Sequence, residues 1–444
     1  MDYLEALNCI RIKSLQRNGD IVFNRILINH SEISTKKGNR RFFEDQLGSN
    51  VLKRIKSEGF NWPVDVKRHY QVVRVPEDAS EDQILKAIGN ITEVHGVRWA
   101  SPAVWLPSEK FRNEDNTPKY NMIKEIAVQI AEQCFKEGRT FAVKLKRSDK
   151  KYTLPSEQLE RWLGKEIVEN TPWNNVNLKS PDLELIIRVY RDELFISPKK
   201  YMGSSGLPVG SAGHALSLLS GGFDSPIASW MMARRGCSLD FIHFTPSHPH
   251  PEEIENSKID RLAAWLSRYT LTSRLYMVPY THFDLSMPSH NRPKALMVFR
   301  RFMSRTAEEL ANRIDAKALV TGESLAQVAS QTLENLVTNN SVLSMPVFQP
   351  LIGHNKDEII ELSRKIGSHD LSVEPYKDCC SLISTNPETK SNPKTIRKFE
   401  ERWIPDYQDL IDRTLDDAYC YEYECGKKVN AYAIRSVEQN EFPE

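Results

Sequence analysis

Short apolar runs alternate with amphipathic stretches along most of this chain of 444 residues. The first run predicts a strand over 25–29, and the stretch after it places apolar residues from Phe42 to Ile55 on one side of a helix. A strand over 69–76 and a helix over 80–90, with Ser80 as its N-cap, repeat the arrangement. Elements of this size and order predict a small α+β sandwich.

A second unit of similar construction follows. Its pattern predicts helices over 121–138 and 156–170, a strand over 140–151 and a β-hairpin over 183–197. Four glycines between 203 and 213 are typical of a linker that ends this unit.

Beyond residue 214 strands and helices alternate regularly. Strands are predicted over 239–244, 274–280 and 316–322, with helices between them. This order predicts a doubly wound parallel sheet, in which ligands bind at the carboxyl ends of the strands. Three candidate segments stand at such ends: 220–225, 243–244 and 321–323.

Composition narrows the class of protein. The chain is 40% hydrophobic and 27% charged, which is ordinary for a globular protein, and no membrane span is expected because no apolar run is long enough. The first residues are charged and lack a secretory apolar core, and the seven cysteines are an odd number in a long chain, so we expect a cytoplasmic protein with reduced thiols. Its net charge of +1 means that any nucleic acid must be bound by local patches.

The stretch LSLLSGGFDSPIASW (216–230) is the most informative in the chain. An apolar strand meets Gly221 and Gly222, which allow close approach of a ligand to the backbone. Ser225 is the predicted N-cap and Pro226 the first helical residue, so the helix start offers N–H groups and a positive dipole end to a phosphate. Asp224 suits a Mg²⁺ ion beside that phosphate. The alternative is a strand–turn–helix corner without a ligand.

Two other segments carry candidate chemistry near strand ends. HFTPSHPH (243–250) contains three histidines, but their spacing matches no common zinc site, so a loop over a nucleotide is the alternative to a metal site. GESLAQVASQTLENL (322–336) collects uncharged polar residues, among which Gln331 could read a base by paired hydrogen bonds. The phosphate-loop pattern G-x-x-x-x-G-K-[ST] is absent from the sequence, as is G-x-G-x-x-G after a strand.

The basic turn over 144–151 predicts contact with nucleic acid. Its cations could neutralise several phosphates, and a second basic cluster over 36–41 favours the same interpretation over a solvated charged face. The residues expected to bind RNA are Lys144, Lys146, Arg147, Lys150 and Lys151.

The cysteines divide into candidate nucleophiles and structural residues. Cys379 and Cys380 are neighbours, so they are poorly placed for a relaxed disulfide with each other. They are either two core thiols or a nucleophile or sulfur carrier. Cys420 and Cys425 form a weaker candidate pair. The remaining cysteines are predicted to be structural: Cys9, Cys134 and Cys237.

Together these segments resemble one family. SGGFDS (220–225) resembles the PP-loop of ATP pyrophosphatases, and the closer similarity is to the tRNA sulfurtransferase (4-thiouridine synthetase) family. The similarity spans about 25 to 385 and is carried by five stretches: 31–44, 140–150, 218–237, 319–336 and 377–384. It implies an extension with a ferredoxin-like domain (1–82), a THUMP RNA-binding domain (83–199), a doubly wound PP-loop catalytic domain (200–394) and a helical tail (395–444).

The resemblance also assigns site residues. It implies that Cys380 is the catalytic cysteine, with Cys379 as the alternative, and that Asp224 acts in catalysis. The implied nucleotide-binding residues are Leu218, Leu219, Ser220, Gly221, Gly222, Asp224, Ser225, His243, Phe244, Arg300, Gly322 and Gln331.

The implied activity is ATP-dependent sulfur transfer to a tRNA uridine, at position eight, through an adenylated uridine. ATP and Mg²⁺ are the implied cofactors, and tRNA and a cysteine desulfurase are the implied partners. The sequence leaves the oligomeric state open, with a homodimer as one candidate. Sulfur transfer for thiamine thiazole synthesis is implied by the family alone. About sixty residues follow Cys380, too few for the rhodanese domain of longer members, so we expect the short form. The alternatives are another PP-loop chemistry on tRNA and a non-catalytic RNA-binding protein.

Overall fold

The computed structural model describes residues 23–36, 38–148, 155–246, 254–287, 294–377, 379–383 and 388–436. These residues form two compact units, which divide between Gly206 and Leu207.

The first unit opens with a βαββαβ arrangement, which is the ferredoxin-like order. The strands are antiparallel neighbours in the order β2-β3-β1-β4. Ser80 caps the second helix by a capping box with Gln83, which confirms the predicted start. The elements are β1 (Arg25–His30), α1 (Arg40–Lys56), β2 (Val64–Lys67), β3 (Tyr70–Arg74), α2 (Glu81–Glu93) and β4 (Val97–Pro107).

Strand β4 continues the sheet into the second half of the unit. Its first part pairs with β1 and its last residues pair with β7, so a single sheet of the order β2-β3-β1-β4-β7-β6-β5 runs through the described part of the unit. The boundary expected at 82/83 lies inside α2. The further elements are α3 (Ser108–Phe111), α4 (Tyr120–Gln133), β5 (Phe141–Arg147), α5 (Ser156–Asn170), β6 (Leu183–Val189), β7 (Glu193–Ser197) and β8 (Tyr201–Met202).

The second unit contains a sheet of the order β13-β12-β9-β10-β11-β14-β15 in the residues described. The strands from β13 to β11 are parallel, as predicted. The strands are β9 (His214–Leu218), β10 (Ser238–Thr245), β11 (Thr272–Pro279), β12 (Leu319–Val320), β13 (Val347–Phe348), β14 (Tyr419–Glu424) and β15 (Lys427–Ala433). The helices are α6 (Asp224–Arg234), α7 (Lys258–Thr270), α8 (Thr281–Ser286), α9 (Ala295–Arg313), α10 (Leu333–Asn340), α11 (Lys356–Ile366), α12 (His369–Val373), α13 (Cys379–Ile383), α14 (Pro393–Trp403) and α15 (Tyr407–Asp416).

Helices cover both faces of this sheet, which confirms the doubly wound prediction. Alternate residues of β9 point to opposite faces, so Leu216 packs in a core with α8, α9, α14 and α15, whereas Ala215 packs in a core with α6, α7 and α11. The carboxyl ends of β9, β10 and β12 therefore open at one edge, where the predicted site residues lie.

The C-terminal tail is helical only in its first half. After α14 and α15, residues 419–433 form a hairpin, and β14 pairs antiparallel with β11. The physical reason is the alternation of Tyr419, Tyr421 and Tyr423, which places aromatic side chains on one face of a strand. Within the described residues, none of the helices is both long and apolar enough to cross a membrane.

Candidate active site

Helix α6, which follows the loop after β9, begins earlier than predicted. Phe223 already has helical backbone angles, α6 starts at Asp224, and no side chain caps it, so Ser225 is not the N-cap. Instead, the Ser225 hydroxyl accepts a hydrogen bond from the Ser220 backbone N–H at 2.7 Å and lies 3.0 Å from the Ser220 hydroxyl. The two serines thus tie the ends of the loop together.

At two glycines, neighbouring atoms occupy the space that a side chain would need. A Cβ at Gly322, beyond the end of β12, would lie 2.5 Å from the backbone nitrogen of Ser225. A Cβ at Gly221 would overlap the ring of Tyr376. Glycine is therefore required at both positions for this close approach of chain to chain.

Asp224 is held by two residues that the sequence did not predict. Its Oδ1 lies 2.8 Å from the Lys356 ammonium group, and its Oδ2 accepts a hydrogen bond from the Gln327 amide at 3.0 Å. Lys356 is the first residue of α11 and lies 5.3 Å from the centre of the Phe223 ring. A lysine is disfavoured at a helix N-terminus by the helix dipole, and this was the one signal that could have identified it.

Arg300 belongs to a buried polar cluster at the end of β12. Its guanidinium pairs with the carboxylate of Glu323 and donates to the Ser330 hydroxyl at 3.1 Å. Glu323, only 3% exposed, also accepts from the Thr321 hydroxyl at 2.9 Å. The cluster is thus preorganised, with its cation and carboxylate in contact.

Gln331 is buried beside this cluster, and its Oε1 has no hydrogen-bond partner within the described part of the chain. A buried amide oxygen is costly when unsatisfied, so a ligand that donates a hydrogen bond would fit here.

His243, at the end of β10, connects the loop to a later segment. Its Nδ1 lies 2.7 Å from the Leu219 carbonyl oxygen, so Nδ1 carries a proton, and its Nε2 accepts from the Tyr376 hydroxyl at 2.6 Å. Phe244 is buried in the core that contains Leu216, and Leu218 packs partly buried against that core. Leu219 is buried in the core on the other face of the sheet. The histidines of segment 247–250 lie outside the described residues.

The cysteines separate clearly by environment. Cys379 begins α13 and is half-buried, with its Sγ 4.0 Å from Met303 Sδ. Cys380 follows on the same helix. Cys420 and Cys425 are both buried, and burial raises the pKa of Cys420 to about 12, so its thiol stays protonated at neutral pH. Cys420 therefore belongs to the core and not to a second reactive pair.

The predicted RNA-binding residues lie in the first unit, on and after β5. Lys144, Lys146 and Arg147 are on the strand, whereas Lys150 and Lys151 lie outside the described residues. Lys146 is exposed and lines a groove of about 680 Å³ within this unit. Four further cations line the same groove: Arg98, Arg188, Lys199 and Lys200. Asp182 and Glu184 line the groove as well, and Glu184 pairs with Lys200 at 2.6 Å. The five cations still outnumber the two carboxylates, so the lining is basic beyond the predicted turn.

The second basic cluster differs from its prediction. Arg40 pairs with Glu44 and Arg41 with Asp45, each one helical turn along α1. Lys36 lies 5.2 Å from the ring centre of Phe43, and Lys37 lies outside the described residues. The charges of both arginines are thus neutralised locally, which makes this cluster a weaker phosphate site than the groove.

Comparison with known proteins covers both units. The family described as thiamine biosynthesis protein (ThiI) matches residues 210–404, the THUMP domain matches 119–198, and the ThiI ferredoxin-like domain matches 25–101. A crystal structure of a 4-thiouridine synthetase–RNA complex with bound ATP is similar with a TM-score of 0.77 and 28% identity, over 90% of this chain and 100% of that chain.

Two relatives are similar over nearly their whole length. A probable tRNA sulfurtransferase of Acetivibrio thermocellus is 36% identical over 394 residues, which are 88% of this chain and 97% of that protein. Another, of Brevibacillus brevis, is 35% identical over 392 residues, which are 88% of this chain and 94% of that protein. The chain therefore belongs to the tRNA sulfurtransferase family.

Proposed function

We propose that this chain is a tRNA sulfurtransferase that uses ATP to transfer sulfur to a uridine of tRNA. The observation that carries the proposal is the loop 220–225, closed by its two serines at the carboxyl end of β9, with Asp224 and Lys356 paired at its mouth. The ATP bound in the similar 4-thiouridine synthetase–RNA complex supports ATP as the substrate of this loop.

The phosphates of ATP fit the start of α6. Backbone N–H groups of the loop and the positive end of the helix dipole attract an anion. Lys356 adds a positive charge beside the start of the helix. Arg300 adds a second positive charge, which is paired with the carboxylate of Glu323 in the structure. Gln331 would satisfy its buried Oε1 by accepting a hydrogen bond from the base.

Asp224 is the residue proposed to hold Mg²⁺ with the nucleotide. Each of its oxygens accepts one hydrogen bond in the structure, which leaves a lone pair for a cation. No group of three or more His, Cys, Asp or Glu side chains that could bind a metal occurs among the described residues, and Mg²⁺ characteristically needs only one or two carboxylates plus phosphates and water. Bound Mg²⁺ would neutralise phosphate charge.

The first chemical step activates the base. The oxygen on carbon four of uridine attacks the α-phosphorus, the bond from that phosphorus to the bridging oxygen breaks, and pyrophosphate leaves with the electron pair. The base loses its N3 proton to solvent, and the product carries AMP through the oxygen on carbon four. AMP is a good leaving group, whereas the original oxygen was a poor one. The loop N–H groups and Arg300 stabilise the negative charge that develops on the phosphate.

The second step delivers sulfur from a cysteine persulfide. The terminal sulfur on Cys380 attacks carbon four and AMP leaves. A second thiol then attacks the Cys380 sulfur and forms a disulfide with it. The S–S bond to the transferred sulfur breaks, and that sulfur keeps the electron pair and remains on carbon four. Cys379 is the alternative carrier, and a cysteine desulfurase is the proposed source of the persulfide.

The first unit is proposed to bind tRNA through the basic groove around Lys146. Arg188 lies in that groove, 5.5 Å from the centre of the Trp99 ring, so a flat cationic surface adjoins the exposed lysine. Such cations attract phosphates independently of sequence. A homodimer is proposed as one candidate oligomeric state, and light scattering of the purified chain tests it.

The experiment that tests the function measures release of AMP and pyrophosphate from ATP. An unmodified tRNA transcript should stimulate release, and a transcript with cytidine at position eight should not, because it offers no carbon-four oxygen to be adenylated. Equal release with both transcripts, or none with either, would refute the proposed reaction.

A further inference from the structure

The segment that leads to the two cysteines is fastened to α7. The Lys258 ammonium group donates to the carbonyl oxygens of Ser372 and Glu374, at 2.9 and 2.6 Å. Arg261 pairs with the Glu374 carboxylate through both of its terminal nitrogens. The chain is therefore fixed five residues before Cys379.

From this fixed point Tyr376 reaches back to the nucleotide loop. Its ring lies against Gly221, where a Cβ would overlap it, and its hydroxyl donates to His243 Nε2 at 2.6 Å. His243 in turn donates to the carbonyl oxygen of Leu219, directly before the loop. A continuous series of contacts thus joins the loop to the residue three positions before Cys379.

We infer that Tyr376 is a positioning residue that couples occupancy of the loop by a nucleotide to the position of the helix bearing the cysteines. The inference rests on the proposed function, because it takes the loop to be the phosphate site. A phosphate bound to the loop N–H groups must take space beside Gly221 that the ring occupies. Displacement of the ring shifts Tyr376, three positions before Cys379, so the half-buried Cys379 thiol becomes accessible when the nucleotide is in place.

The chemical advantage of this coupling is that it fixes the sequence of the two steps. A persulfide that became accessible only after ATP had bound would meet an activated base and not water or a stray thiol. Tyr376 is 40% exposed, so its ring has room to move outward without unfolding the core.

The test measures alkylation of Cys379 by iodoacetamide, resolved from Cys380 by fragment mass spectrometry. The nucleotide is an ATP analogue with a methylene group between the α and β phosphates, which cannot be cleaved there. We expect the analogue to raise the Cys379 rate about fivefold in the full-length protein, a typical coupling between two sites. Cys134, a half-buried thiol of the first unit, should react at an unchanged rate.

Variants separate coupling from simple loss of structure. Tyr376→Ala should react rapidly without nucleotide and show no further increase, whereas Tyr376→Phe, which retains the ring against Gly221, should keep the response. The matched control is Val373→Ala, an exposed residue of the same region, which should behave as wild type. In activity assays, Tyr376→Ala should retain pyrophosphate release but form less 4-thiouridine per ATP cleaved, because its persulfide meets water and stray thiols before the base is activated.

A wild-type protein that binds the analogue without a change in the Cys379 rate would overturn the inference, as would a full response in Tyr376→Ala. Both results would leave ATP-dependent sulfur transfer intact. Failure of the wild type to bind the analogue at all would refute the proposed function, and the inference with it.

Discussion

Lys356 and Asp224 are separated by 132 residues in the chain, yet the ammonium group of one lies 2.8 Å from the carboxylate of the other. Each is the first residue of its helix, α11 and α6 respectively. The pair places opposite charges at the mouth of one loop. When a nucleotide binds there, its phosphates would contact Lys356 and its cation would contact Asp224.

Removal of Lys356 should weaken nucleotide binding. Lys356→Ala deletes the positive charge beside Asp224, so we expect KM for ATP to rise at least about tenfold, the effect of roughly 1.4 kcal/mol. Lys365→Ala, an exposed lysine on the same helix, is the control and should leave KM unchanged. Pyrophosphate release at varied ATP concentration measures both, and an unaltered KM in Lys356→Ala would contradict a role at the phosphates.

Asp224→Ala should abolish pyrophosphate release while tRNA binding stays close to wild type, because the carboxylate lies in the second unit and the RNA groove in the first. A filter-binding measurement of tRNA affinity, made beside the release assay, checks the separation. Normal release by Asp224→Ala would remove this residue from the chemistry.

Lys146 should contribute one phosphate contact to tRNA binding. Lys146→Ala is expected to reduce the slope of log affinity against log salt concentration by about 1. Lys165→Ala removes an exposed lysine that pairs with Glu169 on α5 and should not change the slope. Equal slopes for Lys146→Ala and wild type would show that Lys146 does not contact a phosphate of the tRNA.

The buried pair of Arg301 and Glu400 should stabilise the second unit. Two hydrogen bonds, at 2.8 and 2.9 Å, join α9 to α14, directly beside Arg300, and burial raises the pKa of Glu400. Glu400→Ala would leave a buried guanidinium uncompensated, which costs about 3–5 kcal/mol. Glu401→Ala breaks only the exposed pair with Arg397 and should cost less than about 1 kcal/mol in the same denaturant titration. Similar losses in both variants would contradict the distinction.

His30 should make the first unit sensitive to acid. Burial lowers the pKa of His30 from 6.5 to about 4, so between these values the unfolded state binds more protons than the folded state. The stabilisation is present above pH 6.5 and is lost as the pH falls toward 4, by up to about 3 kcal/mol. Hydrogen exchange of β1 amides, corrected for intrinsic rates, should show the loss, and His30→Gln should flatten it. An equal pH dependence in His30→Gln would assign the effect to other groups.

The sequence predicted much of the fold because its local signals are strong. Helix α5 is found over the predicted residues 156–170, and β10 and β11 match their apolar runs within two residues. Strand β4, in contrast, was not predicted. Pro102 interrupts its apolar run, and a proline ordinarily argues against a central strand.

The site was predictable only where its residues are close in sequence. Loop 220–225 combines glycines, a strand end and a helix start within a few positions. Lys356 and Tyr376 come from distant segments, and local periodicity does not indicate which surfaces meet after folding. Serine is a residue type that N-caps favour, so Ser225 was predicted to be one. Its hydroxyl instead accepts a hydrogen bond from the Ser220 backbone N–H, which closes the loop.

The most direct test of the central claim is mass spectrometry of nucleosides from a tRNA transcript incubated with this protein, ATP, Mg²⁺, cysteine and a cysteine desulfurase. We predict 4-thiouridine that requires ATP and disappears in Cys380→Ala. If it disappears only in Cys379→Ala, the neighbouring thiol carries the sulfur. Absence of 4-thiouridine from the wild-type reaction, with AMP and pyrophosphate still released, would contradict sulfur transfer as the function.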